Sequence, residues 1–381
     1  MATRGFPKAE FQARVKRAQA MMAKQGLAAL LLTTEAEIRY FSGFLTRFWE
    51  SPTRVWFLIV PASGDPIAVI PAIGAHLMRQ SWIADIRTWA APNYEDDGIS
   101  LLAVTLREVC GVAGQIGVPD QMESHVQMPL SGFRALEAVL APLRIVGDGA
   151  IVRTLRMVKS DGEIAKIERA CGVADRAFAR VGEVAHVGAP LSDVFRGFQG
   201  LCLGEGADFV PYVAGASGQG GYGDVISPAD DTPLALGDVL MLDTGLIWDG
   251  YYCDFDRNFS LGQPNAAIKA AHGRLIDAVQ AGADKARAGA TMADLFHAMN
   301  DVVHAGPDAG RLGHGLGMRL TEWPSIIAED HTVLEAGMVL ALEPNIETGD
   351  GLIMVHEENI VITDGAARFI SDFQPDRMRV I

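Results

Sequence analysis

Apolar residues at helical spacing open the chain: Phe11, Val15 and Met22 mark one face of a helix predicted over residues 8–25. The apolar run that follows, LAALLL, predicts a buried strand. Two more apolar runs, in VWFLIVPASGDPIAVIP, predict a strand pair because a Ser-Gly-Asp-Pro turn separates them. Helical patterns near 97–111 and 128–140 flank a short strand, QIGVP. This part of the chain is therefore predicted to form an α/β layer domain.

The pattern changes near Gly147, and a long amphipathic helix is predicted to begin after Ser160. Ser160 and Glu163 have the spacing of a capping box, and an apolar stripe continues to Phe178. Further helices are predicted at 190–204, 264–288 and 291–305, with strands between and after them that carry acidic residues. We expect a domain boundary at about 150–158, with domains at 1–152 and 153–381 and an α/β (α+β) fold class.

Size, composition and charge narrow the function. The chain has 381 residues, 49% of them apolar, which favours two packed domains. Its net charge of −15 argues against a nucleic-acid or anionic-membrane partner, since phosphates would be repelled. The N-terminal residues lack the apolar core of a signal peptide, and the four cysteines contain no CxxC pair. We expect a reduced, soluble, cytoplasmic protein.

The strongest chemical signal is an acidic hairpin. The segment VLMLDTGLIWDGYYCDFDRNFSL is two β-prone runs joined by Asp-Gly, a frequent hairpin turn. A two-residue turn would pair Trp248 with Tyr251 and, further along the strands, Gly245 with Asp254 and Asp243 with Asp256. Asp243, Asp254 and Asp256 would then project from one side of the sheet. Crowded carboxylates repel one another unless a cation neutralises them, so the hairpin predicts a metal site.

Three later segments offer further ligands. His314 lies in GHGLG, where glycines on both sides permit a close approach of backbone and metal. Glu343 follows the apolar run MVLAL, and a glutamate that ends a buried strand is costly unless it is paired or binds an ion. In IMVHEENIVIT, Glu357 and Glu358 point to opposite faces, so only one can be a ligand. Carboxylates with one imidazole suit Mn²⁺, Fe²⁺, Co²⁺ or Zn²⁺.

Taken together, these segments resemble the pita-bread metallohydrolases: prolidase, aminopeptidase P, methionine aminopeptidase and creatinase. The matching features are the two aspartates of the hairpin, GHG, EPN, the final E-E-x-I-x-I-T and LRMVKSDGEI at 155–164. The resemblance implies two divalent metal ions (Mn, Co, Zn or Fe) held by five residues: Asp243, Asp254, His314, Glu343 and Glu357. It further implies bridging by Asp254 and Glu357, a creatinase-type N-terminal domain before a pita-bread catalytic domain, and a homodimer.

Two histidines of that family pattern are missing. The segment GDVISP at 223–228 has Val225 in the place of one of them, and Thr321 replaces the other. Asp256 stands where the family usually has Thr, and is predicted to be catalytic as an extra acid, a ligand or a partner of Arg257; a salt bridge with that or another nearby cation is the alternative. Substrate contacts are predicted for four residues: Tyr222, Asp224, Thr321 and Trp323. For Tyr222, a packed loop aromatic is the alternative.

The resemblance therefore implies a binuclear-metal hydrolase of the Xaa-Pro dipeptidase or aminopeptidase P type, acting on a small amide or dipeptide. Glu343 is predicted to accept the proton of the attacking water. Because positioned acids, bases and oxyanion donors often contribute about 10²–10⁴ in rate, the missing imidazoles keep two alternatives open. One is an amidase or lyase that acts on a small metabolite, and the other is an inactive binding protein.

Overall fold

The computed structural model describes residues 2–50, 55–306, 310–374 and 377–381, with only the backbone of Glu50. These residues form two units, one of Arg4–Arg156 and one of Met157–Ile381 with the first three residues. The division between the units falls at 156/157. A helix spans Ile151–Met157, so the chain changes unit at the end of that helix and not at its first turn.

The unit Arg4–Arg156 is built around one mixed sheet. Its elements are α1 Lys8–Gln25, β1 Ala29–Leu32, α2 Glu35–Ser42, β2 Phe57–Pro61, β3 Ile67–Pro71, α3 Ala75–Met78, β4 Asp85–Trp89, α4 Ile99–Cys110, β5 Gln115–Val118, α5 Leu130–Leu140, β6 Arg144–Gly147 and α6 Ile151–Met157. The strand order is β4-β3-β2-β1-β5-β6. The buried strands β1, β2 and β3 match the predicted apolar runs. The edge strands β4 and β6 are more exposed and polar, so no apolar run announced them.

The second unit contains two five-stranded sheets and four long helices among its described residues. Its elements are α7 Asp161–Ala179, α8 Leu191–Gly204, β7 Phe209–Gly218, β8 Val239–Trp248, β9 Tyr251–Tyr252, β10 Phe255–Ser260, α9 Ala266–Lys285, α10 Met292–Val303, β11 Gly313–Gly315, β12 Glu322–Ser325, β13 Val339–Leu342, β14 Asn345–Gly349, β15 Leu352–Val355, β16 Glu358–Val361, β17 Arg368–Phe369 and β18 Arg379–Val380. One sheet has the order β18-β10-β8-β7 with β9 beside β8, and the other β12-β11-β13-β16-β17. The strands β14 and β15 form a separate hairpin.

Helix α7 begins at the predicted capping box and is tied to the acidic hairpin. The Ser160 hydroxyl accepts the N–H of Glu163 at 3.4 Å, and the Glu163 carboxylate accepts the N–H of Ser160 at 3.0 Å. The other Glu163 oxygen accepts the hydroxyl of Tyr251 at 3.0 Å, and Lys166 pairs with Asp249 in the hairpin turn. The cap that starts the helix therefore also holds the hairpin beside it.

Helices α9 and α10 contribute apolar faces to the core beneath the second sheet. Leu275 and Val279 of α9 and Leu295 of α10 are buried with Leu340 and Leu342 of β13. Burial of each such side chain contributes roughly 1.5–3 kcal/mol, so this packing holds the sheet from which several acidic residues project. Among the described helices, none is long and apolar enough to cross a membrane.

Candidate metal centre

The acidic hairpin forms in the predicted register. Strands β8 and β9 pair Trp248 with Tyr251, and the turn Asp249–Gly250 has φ of +48° and +80°. Positive φ at both positions is typical of the type I′ turn that suits the twist of a hairpin. Asp243 on β8 is opposite Asp256 on β10. Both carboxylates are buried, so the hairpin sets two acids against each other inside the unit.

Three of the five predicted ligands meet at one point. Ligand atoms of Asp254, His314 and Glu357 all lie within 4.8 Å of one another, and all three side chains are buried. Asp254 lies in the two-residue gap between β9 and β10, and His314 is the middle residue of β11. Glu357 lies between β15 and β16, where the predicted single strand IMVHEENIVIT is divided between two sheets. The break lets Glu357 approach residues from other parts of the chain.

The hydrogen bond of His314 determines which nitrogen faces the acids. Its Nδ1 lies 2.9 Å from the carbonyl oxygen of Gly315, which can only accept, so Nδ1 carries the proton in the neutral ring. Its Nε2 lies 3.4 Å from Oδ2 of Asp254. A neutral imidazole in this tautomer presents the Nε2 lone pair to the cluster, as a metal ligand must.

Glycines beside His314 permit its strand to pack closely. Gly313 has φ of +141°, and a Cβ there would lie 2.1 Å from the carbonyl oxygen of Ala341 on β13. A Cβ at Gly315 would lie 2.6 Å from the carbonyl oxygen of Trp323. The two glycines therefore allow the backbones of the neighbouring strands to pack closely against β11. This packing brings His314 close to acids from other segments of the chain.

Asp243 and Glu343 complete the charged group. Burial, followed by the charges of Asp254, Asp256 and Glu343, raises the pKa of Asp243 well above its ordinary value. Burial also raises the pKa of Glu343 to about 7, with His314 opposing the rise and Asp254 adding to it. Glu343 is partly exposed, whereas the other four predicted ligands are buried. These acids are thus within electrostatic reach of one another. They repel one another when ionised, and a bound cation would offset that repulsion.

The donor set fits divalent metal ions. Oδ1 of Asp243 and Oε1 of Glu357 are buried and accept no hydrogen bond from the described residues. A buried carboxylate oxygen without a partner is costly, and coordination to a cation would satisfy it. Oxygen-rich sites with one imidazole suit Mn²⁺, Fe²⁺, Co²⁺ or Zn²⁺, as expected from the sequence.

Asp256 joins a buried chain of charges behind the ligands. Its Oδ1 lies 3.6 Å from Nδ1 of His356, whose Nε2 lies 3.2 Å from Oε1 of Glu358. Burial lowers the pKa of His356, but the two carboxylates outweigh burial and raise it. Arg257 binds Glu358 at 3.0 Å, so its side chain serves that acid, and the group beside Asp256 is the imidazole of His356. Glu358 contacts Arg257 and His356 in this chain of charges.

The family follows from two matches along the chain. Metallopeptidase family M24 matches residues 165–364, and the creatinase/prolidase N-terminal domain matches residues 14–158. The chain belongs to metallopeptidase family M24. The expected creatinase-type domain before a pita-bread catalytic domain is confirmed.

Relatives of this M24 metallopeptidase include named dipeptidases. The probable dipeptidase PepE of Mycobacterium tuberculosis is 30% identical over 376 residues, 96% of each chain. The Xaa-Pro dipeptidase of Pyrococcus horikoshii is 28% identical over 228 residues, 57% of this chain and 64% of that protein. The solved dipeptidase PepE of Mycobacterium ulcerans has a TM-score of 0.83 at 29% identity over 99% of both chains. A Thermococcus sibiricus prolidase, at 20% identity, shares the fold with a TM-score of 0.86 over 97% of this chain and 99% of its own.

Two predicted substrate residues of this M24 enzyme have hydrogen-bond partners of their own. Tyr222 is 1% exposed, and its hydroxyl donates to Oδ1 of Asn258 at 3.1 Å and accepts the N–H of Val355 at 2.7 Å. These contacts favour the packed aromatic that was the alternative. Asp224 is exposed, and its carboxylate accepts the N–H groups of Ile226 and Ser227 within its own turn. Both side chains thus make structural contacts, and their role as substrate contacts stays a prediction.

Thr321, which occupies the position of the second missing histidine, has a charged neighbour. The Thr321 hydroxyl accepts a hydrogen bond from Nη2 of Arg311 at 3.2 Å, and both side chains are partly exposed. The positive charge of Arg311 opposes the rise in the pKa of Asp254 and Glu343, so the guanidinium lies near the ligands. Trp323 is partly exposed on β12, two residues from Thr321.

Two residues near the predicted ligands, Tyr212 and Arg311, were not identified from the sequence. The Tyr212 phenol lies within electrostatic reach of Asp243, and burial followed by the charges of Asp243 and Asp254 raises the pKa of the phenol. Tyr212 is partly exposed on β7, where Ala214, two residues on, is opposite Asp243. The period of two along a strand places Tyr212 on the face of Ala214, but β7 itself was not predicted. Arg311 had a weaker signal, its position three residues before the ligand histidine.

Proposed function

We propose that this M24 metallopeptidase is a dipeptidase of the Xaa-Pro type that works with two divalent metal ions. The observation that supports it is the buried set of Asp254, His314 and Glu357, with Asp243 and Glu343 in electrostatic reach. Relatives over nearly the whole chain are named as dipeptidases. From the same resemblance we propose a homodimer, and from the spacing of the four cysteines we propose a cytoplasmic protein.

The roles of the ligands follow from the family resemblance. It implies that the two ions would be held by Asp243, Asp254, His314, Glu343 and Glu357, with Asp254 and Glu357 shared between them. Bound divalent ions would supply a Lewis acid and an activated water. The neutral His314 offers Nε2 because Nδ1 donates to Gly315. Manganese, cobalt, zinc and iron all suit this donor set.

Glu343 is the residue that we propose moves the proton. It is partly exposed, so a water molecule can reach its carboxylate, and its pKa is raised to about 7 chiefly by burial. An acid–base group works best when its pKa is near the working pH. Glu343 would accept the proton of the attacking water and return it to the leaving nitrogen of the substrate amide.

Tyr212 and Arg311 are proposed to replace the missing imidazoles. The Tyr212 phenol lies within electrostatic reach of Asp243 and is partly exposed, so its hydroxyl can donate a hydrogen bond to the oxyanion that forms at the scissile carbonyl. Arg311 is anchored by Thr321 and can bind the free carboxylate of a dipeptide. Trp323, two residues along the chain from Thr321, would flank the substrate.

Asp256 is proposed to act through its neighbours, because it lies behind the ligands. Its carboxylate is 2% exposed and pairs with the buried His356. Asp256 thus places a carboxylate opposite Asp243, and neither Asp256 nor His356 is exposed enough to contact a substrate. We therefore propose a positioning role for Asp256, in place of the catalytic role expected from the sequence.

The decisive experiment measures bound metal and substrate scope together. The purified protein is loaded separately with Mn²⁺, Co²⁺, Zn²⁺ or Fe²⁺, analysed for metal content, and tested on dipeptides with and without proline in the second position. We expect about two ions per chain and hydrolysis of dipeptides. The matched control is His331→Ala, since His331 is exposed. His314→Ala should lose metal and activity while the control keeps both.

Other results would decide for the alternatives. A protein replete with metal that leaves every dipeptide intact but turns over a non-peptide amide or metabolite would identify an amidase or lyase. The motivation for that candidate is the absence of an imidazole at Val225 and Thr321. Failure of the wild type to take up any of the four metals would instead favour a binding protein.

A further inference from the structure

The metal ligand Asp254 lies where its strand is interrupted. It falls between β9 and β10, although Cys253 on one side still donates its N–H to the carbonyl of Leu246 at 3.1 Å. On the other side Phe255 resumes pairing with Thr244. Buried backbone groups in such a gap need other partners, because an unsatisfied buried N–H or C=O is destabilising.

The side chain of Asn359 supplies those partners. Its Oδ1 accepts the N–H of Asp254 at 3.1 Å, and its Nδ2 donates to the carbonyl oxygen of Asp254 at 2.5 Å. A residue in a neighbouring antiparallel strand would make the same two hydrogen bonds. Since a backbone N–H only donates and a carbonyl only accepts, these contacts also determine the orientation of the amide.

Asn359 is itself held firmly. It is fully buried on β16, its N–H donates to the Ser371 hydroxyl at 2.9 Å, and its carbonyl accepts the N–H of Ile370 at 2.9 Å. The thiol of Cys171 reaches the same Oδ1 at 3.4 Å. The amide that grips Asp254 is therefore attached to a rigid strand on which it cannot easily shift.

Asn359 also links two ligand segments. It is two residues from Glu357, so the strand that carries Asn359 begins directly after that ligand. Asp254 and Glu357 are the two residues proposed to contact both ions. One buried amide thus sets the distance between the backbone of Asp254 and the segment of Glu357.

We propose that Asn359 is a positioning residue of the metal centre, which fixes the position of the Asp254 backbone relative to Glu357. The inference rests on the proposed metal site but concerns a residue outside the ligand set. Residues that orient metal ligands typically contribute about 10–100-fold to metal affinity. Loss of the Asn359 amide should therefore weaken metal binding even though every ligand is retained.

The test compares two buried asparagines by the metal affinity of the folded protein. Asn359→Leu keeps the volume and removes both hydrogen bonds. Asn258→Leu is the matched control, because Asn258 is also fully buried on a strand but bonds Tyr222 and Val355, neither of them a ligand. Affinity for Co²⁺ is measured by chelator competition, well below the melting temperature of each metal-free variant, together with the visible absorption spectrum of bound Co²⁺.

We expect Asn359→Leu to weaken Co²⁺ binding about 10–100-fold with an altered absorption spectrum, and Asn258→Leu to stay within about threefold of wild type. Equal affinities for the two variants would overturn the inference while leaving the metal site intact. Wild type without Co²⁺ binding would overturn both this inference and the proposed function. If Asn359→Leu does not fold, Asn359→Asp serves: its added negative charge alone would strengthen cation binding, so a weaker affinity reports the lost donor, and an equal or stronger affinity overturns the inference.

Discussion

Nε2 of His314 lies 3.4 Å from Oδ2 of Asp254, while its Nδ1 is bound to the carbonyl of Gly315. The imidazole is thereby turned so that its lone pair faces a group of buried acids. In an empty site these acids repel one another, and a divalent ion removes the repulsion. The five predictions that follow test this arrangement and the residues around it.

Metal should stabilise the protein more at high pH than at low pH. The pKa of Glu343 is raised from its ordinary value of 4.5 to about 7, chiefly by burial. Between these values the folded metal-free protein binds more protons than the unfolded chain, so its stability falls as pH rises through this window. Metal binding requires the deprotonated acids. Thermal melts with and without Mn²⁺ should show a larger increase in Tm at pH 8 than at pH 5.

Asp175 offers a control for that experiment. Its pKa is raised to about 6, mainly by burial, so it contributes to the pH dependence in the same direction. Asp175→Asn should flatten the metal-free profile but retain the metal-dependent rise in Tm. An increase in Tm with Mn²⁺ that is equal at both pH values would contradict the coupling between the buried acids and the ions.

Glu343→Gln should reduce kcat by about 10²–10⁴-fold, the usual contribution of a positioned acid–base group. The amide cannot accept the proton of water, although it can still occupy the same space. Dipeptide hydrolysis and metal content are measured on the same preparation. Glu347→Gln, an exposed glutamate on β14, is the control and should retain full activity. Normal kcat in Glu343→Gln would exclude it as the proton acceptor.

Removal of the hydroxyl should affect catalysis at Tyr212 and stability at Tyr222. Tyr212→Phe loses the hydroxyl beside Asp243, and we expect kcat to fall by about 10-fold or more with little change in stability. Tyr222→Phe loses the contacts with Asn258 and Val355, which should cost about 1–3 kcal/mol in the free energy of unfolding while KM is unchanged. Urea unfolding and steady-state kinetics are the measurements. The opposite pattern would favour the predicted substrate role of Tyr222.

Arg311→Gln should raise KM for a dipeptide about 10–100-fold, since a charge-assisted hydrogen bond contributes about 1.5–3 kcal/mol. The C-terminal amide of the same dipeptide lacks the carboxylate, so its KM should change little. Arg319→Gln on the neighbouring loop is the control. If both substrates are affected equally, Arg311 does not recognise the carboxylate.

Arg257→Met should destabilise the fold by about 3–5 kcal/mol, because it removes the guanidinium partner of the buried Glu358 carboxylate. Arg257 and Glu358 are 3.0 Å apart and almost completely buried. The double variant Arg257→Met with Glu358→Gln removes both charges and should recover part of the loss. Equal stability of the single and double variants, measured by urea unfolding, would show that the pair is not coupled.

Local sequence determined much of the fold. The spacing of Ser160 and Glu163 announced helix α7, and the Asp-Gly dipeptide announced the hairpin, because caps and turns depend on residues close in the chain. The two-residue turn placed Asp243 opposite Asp256. The resemblance to the M24 family supplied the five predicted ligands and the choice of Glu357 over Glu358.

Only the tertiary structure decided what surrounds those ligands. Tyr212, Arg311 and Asn359 reach the site from separate strands and loops, and no local pattern specifies contacts between residues so far apart in the chain. For the same reason the sequence left both a substrate contact and a packed aromatic open for Tyr222, which the structure buries in the apolar core. Spacing along a strand indicates which side a residue faces, but which residue meets it across the fold depends on how the sheets and helices pack.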